Sequence, residues 1–409
     1  MNKSIIYILC LTITASFNLI QADVSEGNDI LDPLRVKSLP TPRLKEEVDK
    51  LISSGDPVDT RHKIHIIWEL VDRLQKDKNN TDELMKYLEY GLRHNSWDLK
   101  YQLDYAKLLK EKGNLKESER RAEIIVTYAE NDNLINEACE ILKRPKLPSI
   151  PTRKALDDKE NTIIFVPIGE VDAWLLFDLQ KKLKEILKVK VEIQDFNIPA
   201  PKYSRDRRDM TIQDIRENLT EQSDSSDIAQ LLKEMGISKN DLKDDQIVIK
   251  AARKISEMMG GKKAVNSFNQ KLEDAIGKDC QWDIDELYSR LVNETEKDKK
   301  TKFKFLGICN LDTYTKGANF LFGTASDKGY GVISYKRFSA EFNEEPPNRA
   351  RLLDRTLKQA LSSLGYMYGI ERCSIPTCPR TYPNNLKEHD AKGTELCSKC
   401  KQAFEEALK

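Results

Sequence analysis

Histidine is scarce in this chain: His62, His65, His94 and His389 are the four it has in 409 residues. That leaves little material for a metal centre built from several imidazoles. The one close pair, His62-x-x-His65, reads as two surface residues. Net charge is missing as well. Lys+Arg and Asp+Glu balance at 67 each, so no overall field draws the chain to nucleic acid or to an anionic membrane. The basic run Lys299-Lys300-Thr301-Lys302 reads as a solvated loop. Beyond the first twenty or so residues no apolar run is long enough to cross a bilayer. Cysteine is limited to eight. Removal of a leader carrying Cys10 would leave an odd number, which argues against a pure disulfide framework.

What is present is a globular composition, 39% hydrophobic and 33% charged, long enough for two or three domains. At the N-terminus Lys3 precedes a mostly apolar stretch from Ile5 to Ile20, diluted by Thr12, Thr14, Ser16 and Asn18. A small residue, Ala22, stands at a cleavage position. Residues 1–22 therefore read as a signal peptide, with the secretory pathway or secretion as destination and no other membrane segment. Residues 23–59 carry Pro33, Pro40, Pro42 and Pro57 with weak periodicity and read as a linker.

Residues 60–145 read as helices. The run LQKDKNN from Leu74 returns as LLKEKGN from Leu108, a 34-residue offset that is the period of tetratricopeptide (TPR) repeats. Tyr105, Ala106, Leu109, Gly113, Asn114 and Ala122 fit such a unit, and Asn133 to Leu142 reads as a capping helix. A proline-rich boundary, Arg144 to Pro151, precedes a change of pattern. Thr162 to Pro167 is an apolar, β-branched run, hence a buried strand. Val171 to Leu187 is helical, and Val189 to Ile193, Phe303 to Cys309 and Gly331 to Tyr335 are further strands. Arg349 to Tyr368 is a helix. This is an α+β domain, 146–205 and 280–409, interrupted by a polar, partly helical insertion at 206–279 with a break at Gly260-Gly261.

Four of the cysteines cluster. Cys373-x4-Cys378 is followed about twenty residues on by Cys397-x2-Cys400, two close pairs of the kind that hold a structural Zn²⁺. In a secreted protein the same four could close two disulfides. In front of them Leu353, Leu357, Ala360, Leu361, Leu364 and Tyr368 form the core-facing stripe of a helix, and Gly369 stands where it should stop. Asp354 and Arg355 read as its solvated side. His389 beside Asp390 reads as a surface residue or one that backs the zinc ligands.

The frame Ser362-Ser363-x-x-Tyr366-x-x-Gly369-x-x-Arg372-Cys373-x4-Cys378-x-Arg380, with Cys397-x2-Cys400 after a loop, resembles that of the archaemetzincins. Their pattern is H-E-x-x-H-x-x-G-x-x-H-C-x4-C-x-M followed by C-x2-C. FVPIGEVD from Phe165, NFLFGTAS from Asn319, GVISYKRF from Gly331 and YPNNLKEHD from Tyr382 extend the resemblance. It implies a metzincin-like fold, a mixed sheet with an active-site helix and a Cys₄ zinc knuckle; the all-α TPR-like region that precedes it and the long insertion depart from the compact family pattern. In the family three histidines hold a catalytic zinc and a glutamate serves as base. Here those positions are Ser362, Tyr366, Arg372 and Ser363, and Arg380 replaces the methionine. Arginine has no lone pair for a metal, and a lone serine is no base at neutral pH. The resemblance thus implies one structural zinc at Cys373, Cys378, Cys397 and Cys400, no catalytic zinc and no catalytic residues. The expected function is binding of a protein or peptide partner through the vacated cleft, the helices or both. Two alternatives stand beside it: a hydrolase with relocated groups, such as a Ser362–Lys358 pair, and a TPR-like scaffold.

Overall fold

The computed structural model describes residues 33–54, 60, 63–76, 80–147, 160–194, 196–221 and 226–409. The expected signal peptide lies outside the described residues. Two compact units emerge, one containing 202–283 and the other 28–201 with 284–409.

The larger unit begins with helices where a linker was expected. α1 (Pro33–Ser38) and α2 (Thr41–Ser54) are regular. Pro33 and Pro42 fall in the first turn of each, where the missing N–H costs nothing and the fixed φ is already helical. Val36, Leu44 and Val48 are buried in one core with Ile66, Trp68, Leu70 and Tyr87 of the next two helices. The linker reading of 23–59 is corrected for the stretch from Pro33 to Ser54.

α3 (Ile64–Leu74), α4 (Thr81–His94), α5 (Leu99–Glu111), α6 (Leu115–Tyr128) and α7 (Asp132–Leu142) follow as hairpins. Both ends of α4 return 34 residues later in α6, Thr81 at Leu115 and His94 at Tyr128. Gly113 turns the chain between α5 and α6 with φ +80°. Trp68 stacks on Tyr101 across the two hairpins at 4.0 Å.

The proline-rich stretch after α7 does not separate two cores. Leu103, Ala106, Ile125, Ile135 and Ala138 belong to the same buried cluster as Ile163, Phe165, Trp174 and Leu361. Polar groups tie the join. The Asp132 carboxylate, at the start of α7, accepts from the backbone N–H of Ala173 (2.5 Å) and of Trp174 (3.3 Å). These are free donors at the first turn of α8 (Ala173–Leu187). In return the Asp132 N–H donates to Asp172, at 3.3 Å.

The sheet is mixed. β1 (Thr162–Ile168), β2 (Lys190–Ile193), β3 (Phe303–Cys309), β4 (Gly323–Ser326) and β5 (Tyr330–Ser334) lie in the order β2-β1-β3-β5-β4. The first four in that order are parallel and β4 runs antiparallel to β5. Every residue of β1 is buried, as expected of a parallel strand covered on both faces. Ile163 and Phe165 face the cluster shared with α8 and α13 (Arg349–Met367). On the other face, at Gly307, an added Cβ would come within 2.8–3.4 Å of Ile168, Val332 and Leu291, the last carried by α12 (Ile284–Thr295). That close approach explains a glycine in mid-strand.

In the smaller unit α9 (Arg207–Glu221), α10 (Ser226–Glu234) and α11 (Asp245–Asp274) enclose their own core of Ile212, Ile215, Val248, Ile255, Phe268 and Leu272. Arg253 Nε donates to Asn269 Oδ1 at 2.7 Å. Residues sixteen apart on a straight helix would be about 24 Å apart, so α11 folds back on itself. It does so at Gly261, φ +60°, within the expected Gly260-Gly261 break.

Candidate functional site

α13 is the element on which the site depends. Its N-cap, Asn348, accepts from the Arg351 N–H at 3.0 Å. Its C-terminus closes with the Gly369 N–H on the Tyr366 carbonyl (2.9 Å) and the Ile370 N–H on the Gly365 carbonyl (2.8 Å). These two bonds are the signature of a chain reversing through a left-handed residue, and Gly369 supplies it with φ +70°. The glycine of the motif is explained by this turn, which brings the following segment back along the helix.

The reversal places Arg372 and Arg380 beside Ser362, Ser363 and Tyr366, so all five line one cleft of about 890 Å³. The helix spacing of Ser362 and Tyr366 puts both on that side. β4 forms the opposite wall through Gly323, Thr324 and Ala325. It is the outermost strand of the sheet.

Each side chain is held differently. Ser363 is buried, with Gln359 Nε2 donating to its hydroxyl at 3.3 Å. Tyr366 stays half exposed, and the Arg372 guanidinium lies over the Tyr382 ring at 4.3 Å. The cleft is open rather than plugged by these two. Glu371 is the single carboxylate in its lining. Lys358 is buried but turned elsewhere: its ammonium donates to the Asp390 carbonyl at 3.3 Å. Burial pushes its pKa down, with Asp390 and Asp354 opposing.

Two residues read as surface lie inside. Arg355 is 2% exposed. It donates to both oxygens of Asp390, at 2.7 and 2.6 Å, and to the Phe338 carbonyl at 2.8 Å. His389, on α14 (Leu386–Ala391), is fully buried, its ring stacked on Phe338 at 4.8 Å and its Nε2 2.9 Å from the Arg355 carbonyl. The solvated reading of Arg355 and the surface reading of His389 are corrected: each found a buried partner far away in sequence. Lys299 also departs from a solvated loop. Its ammonium sits 4.4 Å over the Tyr330 ring and donates to the Phe303 carbonyl, and burial lowers its pKa to about 8.

The four clustered cysteines converge. Their sulfur atoms all lie within 4.8 Å of one another, and Cys373 and Cys397 are 3.7 Å apart. A tetrahedron with metal–sulfur bonds of about 2.3 Å has edges near 3.8 Å, so the set fits a zinc ion. No two are joined as a disulfide. The Ile375 N–H points at Cys373 Sγ (3.4 Å), and the Cys400 N–H at Cys397 Sγ (3.5 Å), at the start of α15 (Ser398–Ala407). Such donors favour thiolate. At Cys373 burial outweighs the Ile375 N–H and raises the pKa, whereas at Cys397 burial opposes the hydrogen bonds but they win and lower it to about 7.

Residues 270–406 match the family model described as peptidase family M54. That stretch, about a third of the chain, is where it is similar to peptidase family M54. Curated relatives are archaemetzincins. That of Pyrococcus furiosus is 39% identical over 105 residues, 25% of this chain and 54% of its own length. That of Methanocaldococcus jannaschii is 34% identical over 96 residues, 23% and 54% respectively. The chain thus spans about half the length of these curated relatives. The crystal structure of archaemetzincin from Methanopyrus kandleri covers 62% of this chain and 98% of its own, at 17% identity and TM-score 0.36. A zinc-dependent peptidase from Methanocorpusculum labreanum covers 59% and 99%, at 18% and 0.35.

Several lining residues of the cleft were not among the site residues expected from the sequence: Gln359, Tyr382 and the β4 wall, the last two lying only within stretches that carry the resemblance. Gln359 was detectable, because it lies three and four positions before Ser362 and Ser363 and therefore on their face of the helix. The β4 wall carried no strand pattern, being a half-buried stretch of small residues.

Proposed function

We propose that this chain is a non-catalytic archaemetzincin-like protein. In this reading one zinc ion at Cys373, Cys378, Cys397 and Cys400 is structural, and the cleft beside α13 binds a peptide or protein partner. The observation that carries it is the lining of the cleft: Ser362, Ser363, Tyr366 and Arg372 stand together with one carboxylate, Glu371. None of the four is a good zinc ligand or, unaided, a general base. Among the described residues, the four cysteines form the one group of three or more His, Cys, Asp or Glu side chains able to hold a metal. The orientation of Lys358 toward Asp390, away from a serine partner, speaks against relocated serine chemistry.

A peptide is the partner that suits the cleft, because β4 is an outer strand whose free edge can pair with an extended chain. The repeated helices offer a second, TPR-like surface. The N-terminal segment directs the protein to the secretory pathway. Metal analysis of the purified, folded protein is expected to give one zinc per chain, and a peptide library is expected to remain uncleaved. Two zinc ions per chain, or cleavage abolished by a chelator, would overturn the reading.

A further inference from the structure

The floor of the cleft holds a cation without a counter-charge. Arg380 is 1% exposed and lines the cleft. Its Nη2 donates to the Ile370 carbonyl at 2.5 Å, whereas Nε and Nη1 have no hydrogen-bond partner. The guanidinium is pressed on α13 at Gly365, where an added Cβ would fall 2.0 Å from Nε. Behind it the Phe404 ring lies 5.7 Å away. Arg355, the other buried arginine of this region, spends its donors on Asp390 and Phe338. A buried guanidinium left with two orphan donors is strongly destabilising unless an anion meets it.

The charges around it set what that anion can be. Arg372, Arg380 and Glu371 are the charged residues of the lining, a net of one positive charge, which one monoanion neutralises. The neutral hydroxyls of Ser362 and Tyr366 and the amide of Gln359 in the same lining can complete the shell of an oxygen acid. A planar guanidinium matches a planar carboxylate best.

We propose that the cleft binds a carboxylate, with the Arg380 guanidinium as its anchor. The proposal rests on the reading of the cleft as a binding site. It makes the C-terminal carboxylate of an extended peptide, or a small free carboxylic acid, the group recognised.

The test uses the full, zinc-loaded chain. Its thermal midpoint is followed in acetate, in inorganic phosphate and in chloride at equal ionic strength. Binding of a random hexapeptide pool with free C-termini is compared with that of the same pool amidated. Acetate is expected to raise the midpoint progressively with concentration. The free pool is expected to bind at least about tenfold tighter than the amidated one, the scale of a lost charge-assisted hydrogen bond. Arg380→Met should lose both effects while keeping its zinc; Arg380→Lys, a cation without the fork, should bind more weakly than the parent. An acetate response without a peptide preference would support the site and assign it to a small acid. A response unchanged in Arg380→Met, a larger rise in phosphate than in acetate, or no response in the unsubstituted chain would overturn the proposal. Should Arg380→Met fail to fold, the unsubstituted chain's acetate and peptide comparisons decide alone. A second zinc would overturn the non-catalytic reading; loss of the carboxylate response with one zinc would remove only the Arg380 site.

Discussion

His389 makes the protein sensitive to mild acid, by an amount that can be worked out. The ring is fully buried, its Nε2 2.9 Å from the Arg355 carbonyl and its Nδ1 without a partner. The neutral form with the proton on Nε2 satisfies that carbonyl, so a second proton would have to sit on Nδ1. Burial pushes the pKa down to about 3, with Lys392 and Lys358 adding to the effect and the Arg355 carbonyl and Asp390 opposing it. In the unfolded chain the imidazole titrates near 6.5. Between these values the unfolded state binds the extra proton and the folded state does not, so stability falls as pH drops below about 6.5 and continues to fall to about pH 3. From pH 7 to pH 5 the loss is about 2 kcal/mol. His389→Phe keeps the stack on Phe338 and cannot titrate. Urea unfolding of both proteins at pH 7 and pH 5 isolates the term, because other titrations cancel in the double difference. The histidine protein should lose about 2 kcal/mol more than the variant. A double difference below about 0.5 kcal/mol would show that the ring is hydrated or protonated in the folded state and would refute the argument.

Gly365→Ala should cost about 1–3 kcal/mol from overpacking against the Arg380 guanidinium. In an Arg380→Met background it should instead stabilise by up to about 1 kcal/mol through helix propensity; a urea double-mutant cycle with no coupling would refute the packing. Asp172 behaves oppositely to His389. Burial raises its carboxyl to about 6, against the Tyr335 hydroxyl and the Asp132 N–H that pull it down. The folded state therefore holds the proton more tightly, and stability is lost as pH rises from about 3.8 to about 6. Asp172→Asn should gain about 2–3 kcal/mol relative to the parent between pH 4 and pH 7 in the same assay, and a pH-independent difference would count against it.

The parts of the fold legible in the sequence are those whose signal is local. β1 and β3 announce themselves as runs buried on both faces, and α13 as a stripe ending at a glycine. The close spacing within each cysteine pair anticipated the convergence of the four sulfur atoms. Illegible were the features whose energetics depend on distant partners. Arg355 and Asp390 are 35 positions apart, and only their meeting turns two ordinary surface charges into a buried pair. Arg380 was noted as a replacement, but nothing local says that its guanidinium lies buried against Gly365. The helices from Pro33 to Ser54 were masked by prolines that sit in first turns, where they favour a helix rather than break one.

The shared core bears on how the two candidate binding surfaces can be told apart. Removing residues 60–145 looks like a clean deletion of a helical module, yet it would strip Leu103, Ala106, Ile125 and Ile135 from the cluster that covers Phe165 and Trp174. It would also take away Asp132, which accepts the first N–H groups of α8, and Glu130, whose carboxylate accepts from Ala340 (2.9 Å) and Asn348 (3.1 Å) ahead of α13. Loss of binding in such a deletion would report damage to α8 and α13 as readily as loss of a helical docking face. Substitutions that leave the core alone separate the two. Trp97, Leu115 and Tyr128 are exposed on the helical side, whereas Arg380 belongs to the cleft. A partner that survives Leu115→Ser and Tyr128→Ser but not Arg380→Met uses the cleft, and the reverse pattern assigns it to the helices.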